Sequence, residues 1–433
     1  MMSTPTVPLS SLRSSNGRPR SSRSTEHGWA FSLAAGTLSG LAAGYLDRRV
    51  RRLTAEGLID WARVEKLTAA QLARLPGALG PTELAAAEVQ YAAAMRQIVP
   101  ALERALGTRL PGVTARARAV SRAQWSRANL VTFRALFERL EAGLGSRLAP
   151  PAGDLGAGLL ALGGRALLSG QLALMLSYLG SRVLGQYDIA LLAAETTPGQ
   201  LLFVEENIAA TAASLELPLA DFRLWIALHE TTHAFEFEAH PWLRPYLAGR
   251  LEEQLSGLLA QAQPSGNGLA RWRAAKARAN STAGGSSDPG AGAAGLLDWL
   301  LDPAQRQAMA ETQATMSLLE GYADWVMDQV GAQLLPNVAQ LRERFEARRA
   351  RPKSLLEALM ARLMGMDLKM SQYKAGERFV AGVAAIGGSA AVEHLWDGPT
   401  SLPSPAEISD PARWVTRVIG VGARPDRVLP SGV

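Results

Sequence analysis

The chain has 433 residues, 48% of them apolar and 19% charged, and no cysteine. That composition suits a globular protein with a sizeable core and excludes a disulfide scaffold, thiolate metal sites and cysteine nucleophiles. The net charge of +6 sits entirely in residues 1–52, where eight arginines face Glu26 and Asp47, so residues 53–433 balance at 37 basic and 37 acidic side chains. A neutral body carries no electrostatic footprint for nucleic acid, and none is expected as a partner.

Residues 1–28 are rich in Ser, Pro, Thr and Arg and read as a disordered basic tail. Residues 29–46 contain no charge, and Gly36, Gly40 and Gly44 recur at helical spacing before Arg48, Arg49, Arg51 and Arg52. Residues 29–52 are therefore expected to form an apolar, Gly-rich helix with a basic end. It would either contact a membrane or dock on the protein body. Lack of cysteine fits a reducing, cytoplasmic compartment, with membrane association through this segment as the second expectation.

Residues 53–150 read as a helical domain. Apolar residues recur at helical spacing in three stretches, Pro81-Thr82-Glu83 suits a helix start, and Gly107 suits a helix end. Residues 151–425 read as a second domain. It opens with a Leu/Ala/Gly-rich stretch, 155–185, expected to be a buried helix pair. The runs 188–195 and 201–208 flank Pro198-Gly199 and suggest a β-hairpin, with 201–208 a candidate edge strand for an extended peptide. Helical patterns cover 219–262, 296–330 and 335–384, and a short helix is expected at 410–420. The low-complexity stretch 264–295 reads as an insertion in this domain. The fold class is accordingly mainly α (α+β), with a small hairpin or sheet.

The informative stretch is His229-Glu230-Thr231-Thr232-His233 within an apolar helical pattern. Residues four apart share a helix face, so both imidazoles can address one ion, while Glu230 is rotated aside and can take a proton from a water held there. The competing reading is a pair of packed or surface histidines. A zinc site needs a third protein ligand. His240 is a weak candidate, because Pro241 breaks the helix after it. Glu320 is the better one, with Asp324 four residues on as an acceptor for a ligand imidazole N–H. The expected set is Zn2+ on His229, His233 and Glu320, with Glu230 as general base. Candidate donors to a developing oxyanion are Tyr373 and His240, with Tyr322 and Lys369 behind them.

These residues resemble a bacterial family of zincin-like metallopeptidases, some of whose members are labelled as associated with deazaflavin-coenzyme biosynthesis. The matching positions are 182–188, Trp225 to Phe237, Pro241-Trp242-Leu243-Arg244, Leu319-Glu320-Gly321, Lys369, Gln372-Tyr373, Gly376 and Phe379. The resemblance spans about residues 57–420 and implies a helical N-terminal domain, a zincin-like catalytic domain, and hydrolysis of a peptide or protein. Family members often carry His at the position of Tyr322, and no phosphate- or flavin-binding motif is present. The alternative from another class is a catalytically silent, metal-stabilised scaffold or regulatory binding protein. Oligomeric state is not legible.

Overall fold

The computed structural model describes residue 52 and residues 56–144, 155–188, 199–261, 303–349 and 366–420. The basic tail, the apolar segment 29–46 and the insertion 264–295 lie outside the described residues, as does the first half of the expected hairpin beyond Asp188. By chain contacts, residues 1–55 with 149–162 form one unit, and residues 56–148 with 163–433 form the other. The described helices and strands belong to the second unit, apart from the first turns of one helix.

Three helices open it: α1 (Trp61–Leu72), α2 (Pro81–Leu106) and α3 (Arg122–Leu144). Asp60 caps α1 by accepting from the Arg63 N–H, and Glu83 reaches back to the Gly80 N–H at the start of α2. Gly107 ends α2 in the left-handed region, at φ 65°. Between α2 and α3 lies a strand that the sequence reading misses, β1 (Ala117–Val120).

The Leu-rich stretch is one helix, α4 (Leu155–Gly180), rather than a buried pair. It is also only partly covered: Leu172, Ala173 and Leu176 join Ile59 and Val64 in a small apolar cluster, whereas Leu160 is 79% exposed. The uniform apolarity that suggested burial carries no face preference, so composition could not show which side packs. Arg165 pairs with Glu56.

Among the described residues the sheet has three strands in the order β1-β3-β2, with β2 at Gly185–Asp188 and β3 at Gln200–Val204. β3 pairs parallel with β1, Ala117 opposite Leu201, and antiparallel with β2, Gly185 opposite Phe203. β3 is therefore central, and the expectation that it forms a free edge is corrected; β2 is an outer strand instead. The reason lies in its unbroken apolar run. Leu201 and Phe203 enter the main core on one face, while Leu202 and Val204 pack with Trp125 on the other. A strand buried on both sides has no polar alternation. Among the described residues the antiparallel partner of β3 is Gly185–Asp188; the stretch expected as its first strand lies, beyond Asp188, outside the described residues.

Beyond β3 come α5 (Glu205–Ser214), α6 (Leu219–Ala239), α7 (Leu243–Gln261), α8 (Pro303–Leu334), α9 (Val338–Arg349), α10 (Met366–Glu393), α11 (Pro405–Ile408) and α12 (Pro411–Val418). The break between α6 and α7 falls at His240-Pro241, and α12 fills the expected short C-terminal helix. The main core gathers α2, β1, β3, α5, α6, α8, α10 and α12 around Phe222, Phe235, Phe379 and Trp414, so helices from both sides of residue 150 contribute to it. The chain is thus mainly α with a small mixed sheet.

Two of these helices carry the histidine pair and Glu320. α6 is buried on nearly every side, and its two threonines are satisfied locally: the Thr231 and Thr232 hydroxyls donate back to the Ala227 and Leu228 carbonyls. α8 meets α10 backbone to backbone. A Cβ on Gly321 would overlap the Gly376 carbonyl group, and one on Gly376 would overlap Ser317 O. Gly321 directly follows Glu320, so the glycine contact fixes the height of that carboxylate on its helix.

Candidate metal centre

His229, Glu230 and His233 project from the middle of α6, and Glu320 projects from the middle of α8. The helix spacing puts the two histidines one turn apart on one face. Their rings meet edge to face with centroids 4.7 Å apart, and their Nε2 atoms are 3.3 Å apart. Glu320 Oε2 lies 3.6 Å from His229 Nε2 and 3.7 Å from His233 Nε2. A point equidistant from these three atoms is about 2 Å from each, which is the length of a zinc bond to imidazole nitrogen or carboxylate oxygen. Among the described residues this is the group of titratable side chains whose atoms converge closely enough to hold an ion.

The donor set fits zinc on a second ground. Glu320 Oε2 is buried and has no hydrogen-bond partner among the described residues, an arrangement that costs free energy unless a cation completes it. Burial alone would raise the Glu320 carboxyl, but the two imidazoles outweigh it and hold the group well below the usual carboxylate range.

Each of the two rings has a neighbour behind it. His233 Nδ1 lies 2.7 Å from Glu236 Oε2, and His229 Nδ1 lies 3.3 Å from the Met327 sulfur. An ionised Glu236 only accepts, so a neutral His233 beside it would carry its proton on Nδ1 and turn the Nε2 lone pair to the convergence point. Burial would lower His233, yet Glu236 and Glu320 hold it well above the ordinary imidazole value. Burial also lifts Glu236 to about 7 against the pull of His233.

Glu230 sits where the sequence reading places it, beside the imidazoles. Burial raises its carboxyl above the ordinary value, with the two histidines opposing and Glu320 assisting. Its Oε2 accepts the backbone N–H of Tyr187 on β2 at 3.0 Å. β2 can approach this closely because residue 185 is glycine: a Cβ there would fall 2.7 Å from Glu230 Oε1. The outer strand is itself clamped to α6. Tyr187 Oη donates to Glu238, Glu238 forms a two-pronged pair with Arg116, and Arg116 also donates to Gly199 O.

The remaining expected residues fall elsewhere. Glu236 and Met327 lie behind the two imidazoles, and Asp324 adds to the negative surroundings of Arg342. His240 ends α6 with its ring stacked on Trp396 at 4.7 Å, and burial pushes it down to about 4, so it is neutral. Tyr322 packs edge-on against the same Trp396, with its phenol raised by burial and by the nearby Glu236 charge. Tyr373 and Lys369 lie on α10, at positions outside the described side chains. The sequence reading missed Glu236, Met327 and Gly185. Glu236 had a signal, three residues after His233 and hence on its side of the helix. Gly185 lay within the matching stretch 182–188 but without a stated role, and Met327 had no signal, since the partners of both are brought in by tertiary folding.

A family model described as zincin-like metallopeptidase matches residues 59–415. Among solved structures, the chain is similar to the crystal structure of a "putative hydrolase with a novel fold" from Chloroflexus aurantiacus. Identity is 34%, coverage is 83% of this chain and 98% of that one, and the TM-score is 0.58. A comparison with curated proteins gives no match.

Proposed function

From the premise that this chain belongs to the zincin-like metallopeptidase family, and is thereby a metal-dependent hydrolase, we propose that it is a zinc peptidase of gluzincin type. The observation that carries the proposal is the convergence of His229 Nε2, His233 Nε2 and Glu320 Oε2, two imidazoles from one helical turn and a carboxylate from a second helix. Three protein ligands leave a position open for water or substrate, as hydrolysis requires and a closed structural site does not.

When bound there, zinc lowers the pKa of a coordinated water toward about 7 and polarises the carbonyl to be cleaved. The protein's own part is proton handling and positioning. Glu230 takes a proton from the attacking water on a carboxylate oxygen and delivers it to the departing amine. Its burial favours this role, because a carboxyl raised from its ordinary value holds the transferred proton more readily. The Tyr187 N–H keeps the carboxylate from swinging away. The buried α6 supplies a dry wall, so the charges of the site act in a low dielectric.

The substrate class is tested with a broad peptide library and the full-length protein. Cleavage that disappears on chelation and returns with zinc is expected. Glu230→Gln should retain zinc and lose about 10²–10⁴-fold in turnover. A zinc-loaded parent that cleaves nothing in the library would overturn the peptidase assignment and leave the metal centre standing.

A further inference from the structure

The two ligand imidazoles are braced unequally, and the difference points to Glu236. Its side chain is wholly buried, one Oε lies 2.7 Å from His233 Nδ1, and the other has no hydrogen-bond partner among the described residues. Behind His229 sits a thioether, a weak acceptor, at 3.3 Å. Two carboxylates, the buried Glu236 and the partly buried Glu320, therefore share His233, and each keeps an unpartnered buried oxygen.

Such a pair is costly in a protein interior unless positive charge accompanies it. A divalent ion on two neutral imidazoles and Glu320 retains one net positive charge. A second carboxylate directly behind His233 brings the assembly to neutrality, and by accepting from Nδ1–H it also raises the basicity of Nε2. We propose that Glu236 is the positioning residue of the centre: it locks His233 in the metal-facing tautomer and supplies the balancing charge, so zinc affinity depends on it more than on the brace behind His229. This rests on the zinc reading of the site and assigns the outer residue that sets its affinity.

The test measures zinc binding by the full-length chain, stripped of metal, in competition with a chromophoric chelator and with zinc alone as probe. Glu236→Gln keeps an acceptor for Nδ1–H and removes the charge, and about a tenfold weaker affinity is expected. Glu236→Ala removes both, and about a hundredfold loss is expected. Glu138→Gln, which deletes an exposed carboxylate on α3, controls for overall charge and should bind as the parent does. Should the alanine variant fail to fold, the near-isosteric glutamine variant carries the test. Equal zinc affinity in Glu236→Gln and the parent would overturn this proposal alone, reducing Glu236 to a packing residue. A parent that takes up no zinc would overturn the metal centre and this proposal with it.

Discussion

Glu230 and Gly185 belong to different elements but act as one unit. Glu230 accepts from the Tyr187 N–H, and the missing side chain at 185 leaves the room it occupies. Gly185→Ala should push the carboxylate or the strand aside. Displacements of about 1 Å at a catalytic group cost on the order of 10²-fold. The variant is expected to keep its zinc and to lose about that factor in kcat/KM, which metal analysis beside turnover would reveal. Equal turnover would show that Glu230 does not depend on this contact. The histidine pair and the placing of Glu230 beside it were legible in the sequence because helix spacing is a local rule: i and i+4 meet wherever the helix lies. Glu320 came instead from a carboxylate pattern on a second helix, and its approach to the histidines is tertiary. Gly185 has a meaning only once β2 lies against α6. For Asp324, spacing along α8 sets its distance from Glu320 but not which residue of α6 lies behind His233, where Glu236 stands.

At the scale of elements, the crossing of α8 and α10 fixes Glu320. Gly321 and Gly376 touch through their backbones, so any side chain must separate the helices. Gly376→Ala is expected to destabilise the fold by about 1–3 kcal/mol or more, as overpacking does, and to weaken zinc binding in parallel. Chemical denaturation with and without zinc would measure both, and a stable variant with parental zinc affinity would contradict the coupling. Long helices with caps, such as α2, were readable from periodicity, Pro81 and Gly107. β1 was not: Ala-Arg-Ala-Val is four residues without strong strand formers or turn signals, and it forms because β3 offers a parallel partner. The extent of α4 was misread because an evenly apolar sequence does not show where one helix ends and another begins. Among the described residues two helices, Gly158–Gly180 and Ala375–Trp396, are long and apolar enough to cross a membrane by length and composition. The second places Phe379, Val380 and Val383 fully inside the core.

Across the whole molecule, a metal held by His229, His233 and Glu320 would tie together two helices that are otherwise joined through the shared apolar core, α6 and α8. Metal that binds the folded state alone stabilises it by mass action, by about 2.7 kcal/mol at a free concentration a hundred times Kd. Chelation should therefore lower the Tm, and restored zinc should recover it. A Tm indifferent to zinc would contradict this linkage. The most direct measurement is the metal content of the natively purified chain and three variants. About one zinc per chain is expected in the parent and in Glu230→Gln, with near-complete loss in His229→Ala and Glu320→Ala. Retention of zinc by Glu320→Ala, or a metal-free parent after gentle purification, would contradict the account.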